Sequence, residues 1–427
     1  MQRLIGKKTS ENGEPGGSAG HDPSRLRLDA LDGIRGLAAL YVALYHALGY
    51  AGYTTTQYTD LSAPMQLIAA ILDLGVYAVP VFIVVSGFCL MLPLAQRDTT
   101  YLPGGVSSYV LRRAWRILPS YYVMLLLSLG LIALLPILQT PQQTNWDTKI
   151  PVTIGAIISH LLLIHNIHPG WIYKINGPMW SVAVEWQIYF LFPALLLPLL
   201  RRSNLVITVV LATAVGTLPH LLLPARVNLD DMHPWFVGLF AMGMAGAVVA
   251  FSNDPKIAAY RMKIRWGWLT AALAIGLSAT LFLKKDWTGW HPYITEPWVG
   301  IVVMCWLIQY IKVSRQGECR ALSQRLLESR TLVTLGIFSY SIYLVHNPIQ
   351  GLVNLETLHI NMSADARLAM MLVVVTPFAV LCSYGFYLLF ERKFMRMKTR
   401  VVSVARPAFS SAPAITDGEL GRATDKS

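Results

Sequence analysis

Apolar residues run along this chain in blocks of about 15 to 27, separated by short polar segments. Ten blocks are long enough to cross a bilayer as helices: approximately 34–51, 67–92, 117–138, 179–200, 205–223, 235–251, 267–283, 296–312, 332–350 and 368–390. A span needs about 20 mostly apolar residues because the hydrocarbon core is about 30 Å thick. An eleventh stretch, VTIGAIISHLLLIH at 152–165, has only fourteen residues. That length fits a re-entrant or interfacial piece better than a span.

Loop charge tests this count. With ten spans and the N-terminus inside, the cytoplasmic segments carry 28 Lys and Arg, against six on the outer side. Making 152–165 a full span would reverse everything after it and place Arg201 and Arg202 outside, against the positive-inside bias. The expected fold is therefore an all-α polytopic bundle of ten transmembrane helices with both termini cytoplasmic. Residues 139–178 form an elaborated outer segment that dips toward the membrane.

Composition agrees. The 427 residues are 54% hydrophobic and 14% charged, where soluble domains carry about 25% charged residues. The net charge of +12 would suggest a nucleic-acid partner in a soluble protein. Here the basic residues sit in loops, where they set topology, and no nucleic acid is expected. Cys89, Cys305, Cys319 and Cys382 show no metal-ligand spacing, and three lie in apolar segments, where cysteine behaves as a small core residue. Residues 1–28 and 393–427 are polar and read as flexible cytoplasmic tails flanking one membrane domain at 29–392. No cleaved signal peptide is expected.

Against this background the intramembrane polar residues stand out, because such groups usually face a cavity and find a partner. Arg35 lies near the cytoplasmic end of the first span, either as a snorkelling anchor or as a functional cation. His46 follows eleven residues later, about 16 Å further along the axis, where a neutral imidazole suits general-base work. The two are too far apart on a straight helix to touch. Glu185 sits six residues into the fourth span, placed to orient an imidazole, hold a hydroxyl or pair with a cation. Trp180 and Trp186 flank it, as belt residues or as platforms for a sugar ring. Arg113 and Arg116 share a helix face and suit phosphate, with lipid headgroups or topology as the plainer reading. Asp73 and His346 are further polar groups at depth. His160, His165 and His168 cluster in the outer segment without zinc-motif spacing, and no metal is expected.

Five motifs in order resemble the membrane-bound acyltransferase 3 family of O-acyltransferases over about residues 29–392: LDGIRGLAALYVALYH, VFIVVSGF, RRAWRILPSYY, GPMWSVAVEWQIYFLFP and FSYSIYLVHNPI. The resemblance implies transfer of an acyl group, often acetyl, from acyl-CoA as donor substrate, with no bound cofactor, to a hydroxyl of a carbohydrate or glycosylated acceptor. It implies His46 as the essential histidine, Arg35 as its signature partner, and Arg113 and Arg116 as the acyl-CoA-binding pair. Glu185 joins the catalytic set, with Ser86, Trp180, Tyr340 and His346 as acceptor or pocket residues. The setting is a multi-pass protein of the inner or plasma membrane. Many members carry an acid six positions before the Ser of Ser-Gly-Phe; this chain has Pro80 there, and Asp73 lies two turns earlier. The short tail after the last span fits the form without an esterase-like domain. The rival class is a secondary transporter or flippase, but no second copy of the Arg–His or Trp-Ser–Glu block supports the repeats such folds show.

Overall fold

The computed structural model describes residues 29–53, 58–223, 229–282, 291–316 and 321–395. The tails expected at 1–28 and beyond Met395, together with Arg226, Lys284, Lys285 and Cys319, lie outside the described residues. Among those residues the chain is helical and contains no strand.

Helix α1 spans Asp29–Tyr50. α2 (Ala63–Asp73) and α3 (Ala78–Ala95) are joined by a tight turn and act as one long span. α4 (Gly105–Leu134) leads into residues 139–178, whose only α-helix is α5 (Ile154–Leu161). α6 (Met179–Leu191) and α7 (Leu197–Arg202) join through the π-turn Phe192–Leu196, where Pro193 removes a backbone donor. α8 (Leu205–Leu222) begins at Asn204, whose side chain accepts from the Ile207 amide. α9 (Phe236–Phe251) is almost wholly buried. α10 (Pro255–Lys263) and α11 (Trp266–Phe282) meet at a bend of 63°. α12 is His291–Gln316 and α13 is Leu322–Leu327. α14 (Arg330–Ile337) and α15 (Ser339–Glu356) form a second bent pair, at 76°. α16 (Ala364–Met370) and α17 (Thr376–Phe386) complete the last span, which ends in the π-turn Tyr387–Glu391.

Each predicted apolar block falls on one of these helices or on two consecutive ones, as 67–92 does on α2 and α3 and 332–350 on α14 and α15. Among the described residues, seven helices are long and apolar enough to cross a membrane, or nine when each bent pair is one span. Helix α1 is not among them, because Arg35, His46 and its tyrosines dilute its apolar content. The 152–165 stretch contains a helix of eight residues, too short to cross.

Two close helix contacts fix the core. A Cβ on Gly87 of α3 would lie 2.1 Å from the Phe240 carbonyl oxygen, and one on Gly243 of α9 would lie 2.0 Å from that of Val84. Glycine lets these backbones meet, which matters in lipid because packing, not water exclusion, drives helix association. At the other side, Gly36 of α1 and Gly336 of α14 press on the Leu332 and Asp32 carbonyl oxygens. α1 is thereby held between α3, α14 and α15, with Arg35 and His46 turned toward the bundle interior.

Candidate active site

A cavity of about 500 Å³ opens between α1, α3, α4, α6, α14, α15 and the final turn. Three cations line it: Arg35, Arg113 and Arg116. Arg35 approaches Asp32 at only 3.8 Å. Arg113 and Arg116 make no ion pair among the described residues; Arg113 lies over the Tyr189 ring at 5.9 Å, and its buried Nε has no hydrogen-bond partner. Three guanidiniums around one space, with one weak ion pair among the described residues, have the chemistry that suits a polyanion.

The carboxylate on the same wall is tightly held. Ser86 Oγ donates to Glu185 Oε1 at 2.7 Å, and the Tyr189 hydroxyl donates to the same oxygen. Glu185 therefore belongs to the cavity and is not bonded to an imidazole. Glu391 adds a second buried carboxylate, bonded to Ser341.

The imidazoles meet elsewhere. His46 Nδ1 lies 2.8 Å from His346 Nε2, with the two rings nearly parallel, 14° apart. The tautomers follow from the neighbours. His346 Nδ1 sits 2.8 Å from the Ile342 carbonyl oxygen, which can only accept, so Nδ1 carries the proton. His346 Nε2 then holds a lone pair, and His46 Nδ1 must donate to it. The neutral pair leaves the lone pair of His46 on Nε2, which has no hydrogen-bond partner among the described residues. One turn along α1 from His46, the Tyr50 hydroxyl donates to Asn347 Oδ1 at 3.1 Å, and Asn347 Nδ2, buried, is left without a partner among the described residues. A buried amide donor without a partner is the kind of polar group that needs a functional reason.

Residues 139–178 pack against α15, the helix that carries His346. Asn176 Nδ2 donates to the Leu344 carbonyl at 2.9 Å, on the turn of α15 that carries His346. Trp146, fully buried, fills the space that Gly351 leaves, where a Cβ would lie 2.4 Å from its ring. Lys149 is buried beneath Gly177, with Nζ bonded to the Asn145 side chain and the Thr148 hydroxyl. Burial, helped by the charge of Lys174, pushes its ammonium down to about 7.

The structure thus sorts the sequence candidates into two groups. Arg35, Ser86, Arg113, Arg116, Glu185 and Tyr340 line the cavity. His46 and His346 form the pair outside it. Trp180 joins neither group: it stacks on His233 at 4.2 Å. Asp73 stands at the α2 terminus and does not line the cavity. His160 and His165 stack on each other at 3.8 Å, and His168 packs on Trp171. Asn347, Glu391 and Lys149 were missed. Asn347 directly follows a flagged histidine, and Glu391 is an acid at the end of an apolar run, so both carried a readable signal. Lys149 lies in a loop where burial has no sequence signature.

Comparison with known proteins supplies the family. Residues 28–388 match the family model of the acyltransferase 3 class, described as an acyltransferase domain. The chain is 26% identical over 406 residues to a Komagataeibacter xylinus protein named as a membrane-bound transacylase, BcsY, covering 90% of this chain and 87% of that one. It is 29% identical over 173 residues to the acyltransferase MdmB of Streptomyces mycarofaciens, covering 40% of each chain. No solved structure matches. The chain belongs to the acyltransferase 3 family, and with its apolar helices it is a multi-pass membrane acyltransferase.

Proposed function

From that membership as premise, we propose that this chain moves an acyl group, in the simplest case acetyl, from acyl-CoA to a hydroxyl of a carbohydrate or glycosylated acceptor. The observation that carries the reading is the His46–His346 pair, which leaves one imidazole nitrogen ready to take a proton. The name of BcsY, a membrane-bound transacylase, supports group transfer at a membrane.

In this reading ten helices span the inner or plasma membrane with both termini cytoplasmic. The donor's phosphates meet Arg35, Arg113 and Arg116, and the pantetheine arm extends past Glu185 toward the histidines. Glu185, with both of its hydroxyl donors on Oε1, keeps Oε2 for an amide N–H of that arm. His46 Nε2 removes the acceptor hydroxyl proton as the oxygen attacks the thioester carbonyl. His346 accepts from Nδ1 and steadies the resulting imidazolium. The oxyanion draws on the unpartnered Asn347 Nδ2. Collapse breaks the carbon–sulfur bond, and the departing thiolate takes the proton back from His46, leaving ester, CoA and the original neutral pair.

Purified chain in lipid nanodiscs, incubated with labelled acetyl-CoA and a panel of glycans, should yield labelled glycan ester. The His46→Ala variant should insert normally and transfer nothing. Normal turnover by that variant would remove His46 from the mechanism; label taken into vesicles without ester formation would favour transport.

A further inference from the structure

The arginine-lined cavity holds as many acids as cations: Asp32, Glu185 and Glu391 against Arg35, Arg113 and Arg116. Where it comes nearest the histidines its wall is aromatic, with Phe82 and Tyr343 edge to face at 6.0 Å and Tyr343 edge-on to His346 at 6.1 Å. Opposite charges in so small a space attract strongly, because little water screens them. Yet among the described residues the closest approach of an acid to a cation in this wall is Asp32 to Arg35, at 3.8 Å. Glu185 and Glu391 are bonded to hydroxyls instead, Glu185 to Ser86 and Tyr189, and Glu391 to Ser341.

Glu391 is the clearer case. It ends the π-turn Tyr387–Glu391, it is buried, and Arg35 and Arg116 stand close enough for their charges to act on it. Its Oε2 accepts from the hydroxyl of Ser341 on α15, itself fully buried. That bond is not the local default. A serine in a helix readily bonds a nearby backbone group, as Ser339 does with the Gly336 carbonyl. Ser341 reaches across to another helix, and the carboxylate it holds is one that two guanidiniums attract.

We propose that Ser341 is a positioning residue for the donor: its hydroxyl keeps the Glu391 carboxylate off Arg35 and Arg116, so that both guanidiniums stay open to phosphate. This inference rests on the acyl-CoA reading above. A carboxylate suits the guanidinium fork as a phosphate does. One built into the wall competes at the high effective concentration of an intramolecular ligand. Tethered, Glu391 offsets the mutual repulsion of the arginines through space without occupying them. Released, it turns onto the nearer guanidinium, and each donor must then break that pair.

The test needs neither acceptor nor turnover. The full chain in nanodiscs is titrated with CoA alone. Ser341→Ala should raise the Kd of CoA by about tenfold, the effect of losing a hydrogen bond to a charged group. Glu391→Gln should lower it by about threefold, because a negative charge beside the phosphates is gone. The double variant separates positioning from packing. Once Glu391→Gln is present, adding Ser341→Ala should change the Kd by less than about twofold, since no carboxylate is left to release. A tenfold loss that persists in the double variant overturns the inference and leaves Ser341 a packing role. An unchanged Kd in Ser341→Ala overturns it too. If Ser341→Ala does not fold, Glu391→Gln decides alone, and a Kd unchanged or raised there overturns the inference. Failure of the parent chain to bind CoA overturns the donor reading, and this inference with it.

Discussion

At the histidine pair nearly every polar atom is committed. His346 is bonded on both nitrogens, His46 on one, and Asn347 on its oxygen, which leaves a single lone pair and a single amide donor unassigned. Along the same helix α1, Arg35 faces a cavity where three guanidiniums have one weak ion pair among them. In the proposed reaction the contrast corresponds to two tasks. Proton transfer needs fixed geometry before the substrate arrives, since a misplaced base loses most of its effect. Polyanion capture needs cations that are not already neutralised, because a strong internal pair would have to be broken for each binding event.

Substitutions can test that contrast by asking whether the two regions fail differently. His46→Ala should have the largest effect, a fall in kcat of roughly 10³-fold or more with little change in the Kd of CoA. Asn347→Leu should lower kcat by about 10²-fold, as expected for a lost oxyanion donor. His346→Ala should cost about as much as Asn347→Leu, with partial rescue in His346→Gln, whose amide oxygen can accept from His46 Nδ1. Arg113→Ala and Arg116→Ala should act on binding, each raising the Kd of CoA by about tenfold with a shallower salt dependence. A kcat loss at unchanged Kd in the arginine variants would collapse the division into one site.

Lys149 offers a smaller and differently shaped effect. Its pKa is depressed by burial to about 7, so between about pH 7 and about pH 10 the unfolded chain holds a proton that the folded chain has released. Stability therefore rises with pH across that window and is flat below it. Thermal unfolding followed from about pH 6.5 to about pH 9 should show the rise in the parent chain and its absence in Lys149→Met. Smallest of all should be Trp180→Ala. Because Trp180 stacks on His233 and does not line the arginine-lined cavity, turnover per folded molecule should change by less than about twofold. A large rise in acceptor KM there would return Trp180 to sugar binding.

Much of the bundle was legible because lipid imposes a simple rule on sequence: long apolar blocks become helices, and loop charge limits their arrangement. The cavity was legible for the converse reason, since arginines such as Arg35, Arg113 and Arg116 are conspicuous in apolar surroundings. Partnership was not. His46 and His346 are 300 residues apart, and their hydrogen bond depends on how α1 packs beside α15. Of the two hydroxyls that hold Glu185, Tyr189 lies one turn along α6 and is readable from spacing, whereas Ser86 reaches it only through the α3–α6 approach. The breaks were also hidden, because the 76° bend between α14 and α15 falls within one continuous apolar run. Local chemistry is written in the sequence, whereas pairing across helices is a property of the packed bundle.

The edge-to-face packing of Phe82 and Tyr343 carries a consequence for the membrane itself. A bundle that hollows a cavity lined by arginines and sets titratable histidines beyond it resembles half of a conduction pathway. An unbroken file of water from cavity to histidines would let protons run down any gradient the membrane maintains. Phe82 and Tyr343, edge to face at 6.0 Å, put apolar ring surface on the cavity wall from which Tyr343 reaches His346. Water finds few hydrogen-bond partners on such a surface, so aromatic packing at this junction disfavours a continuous file.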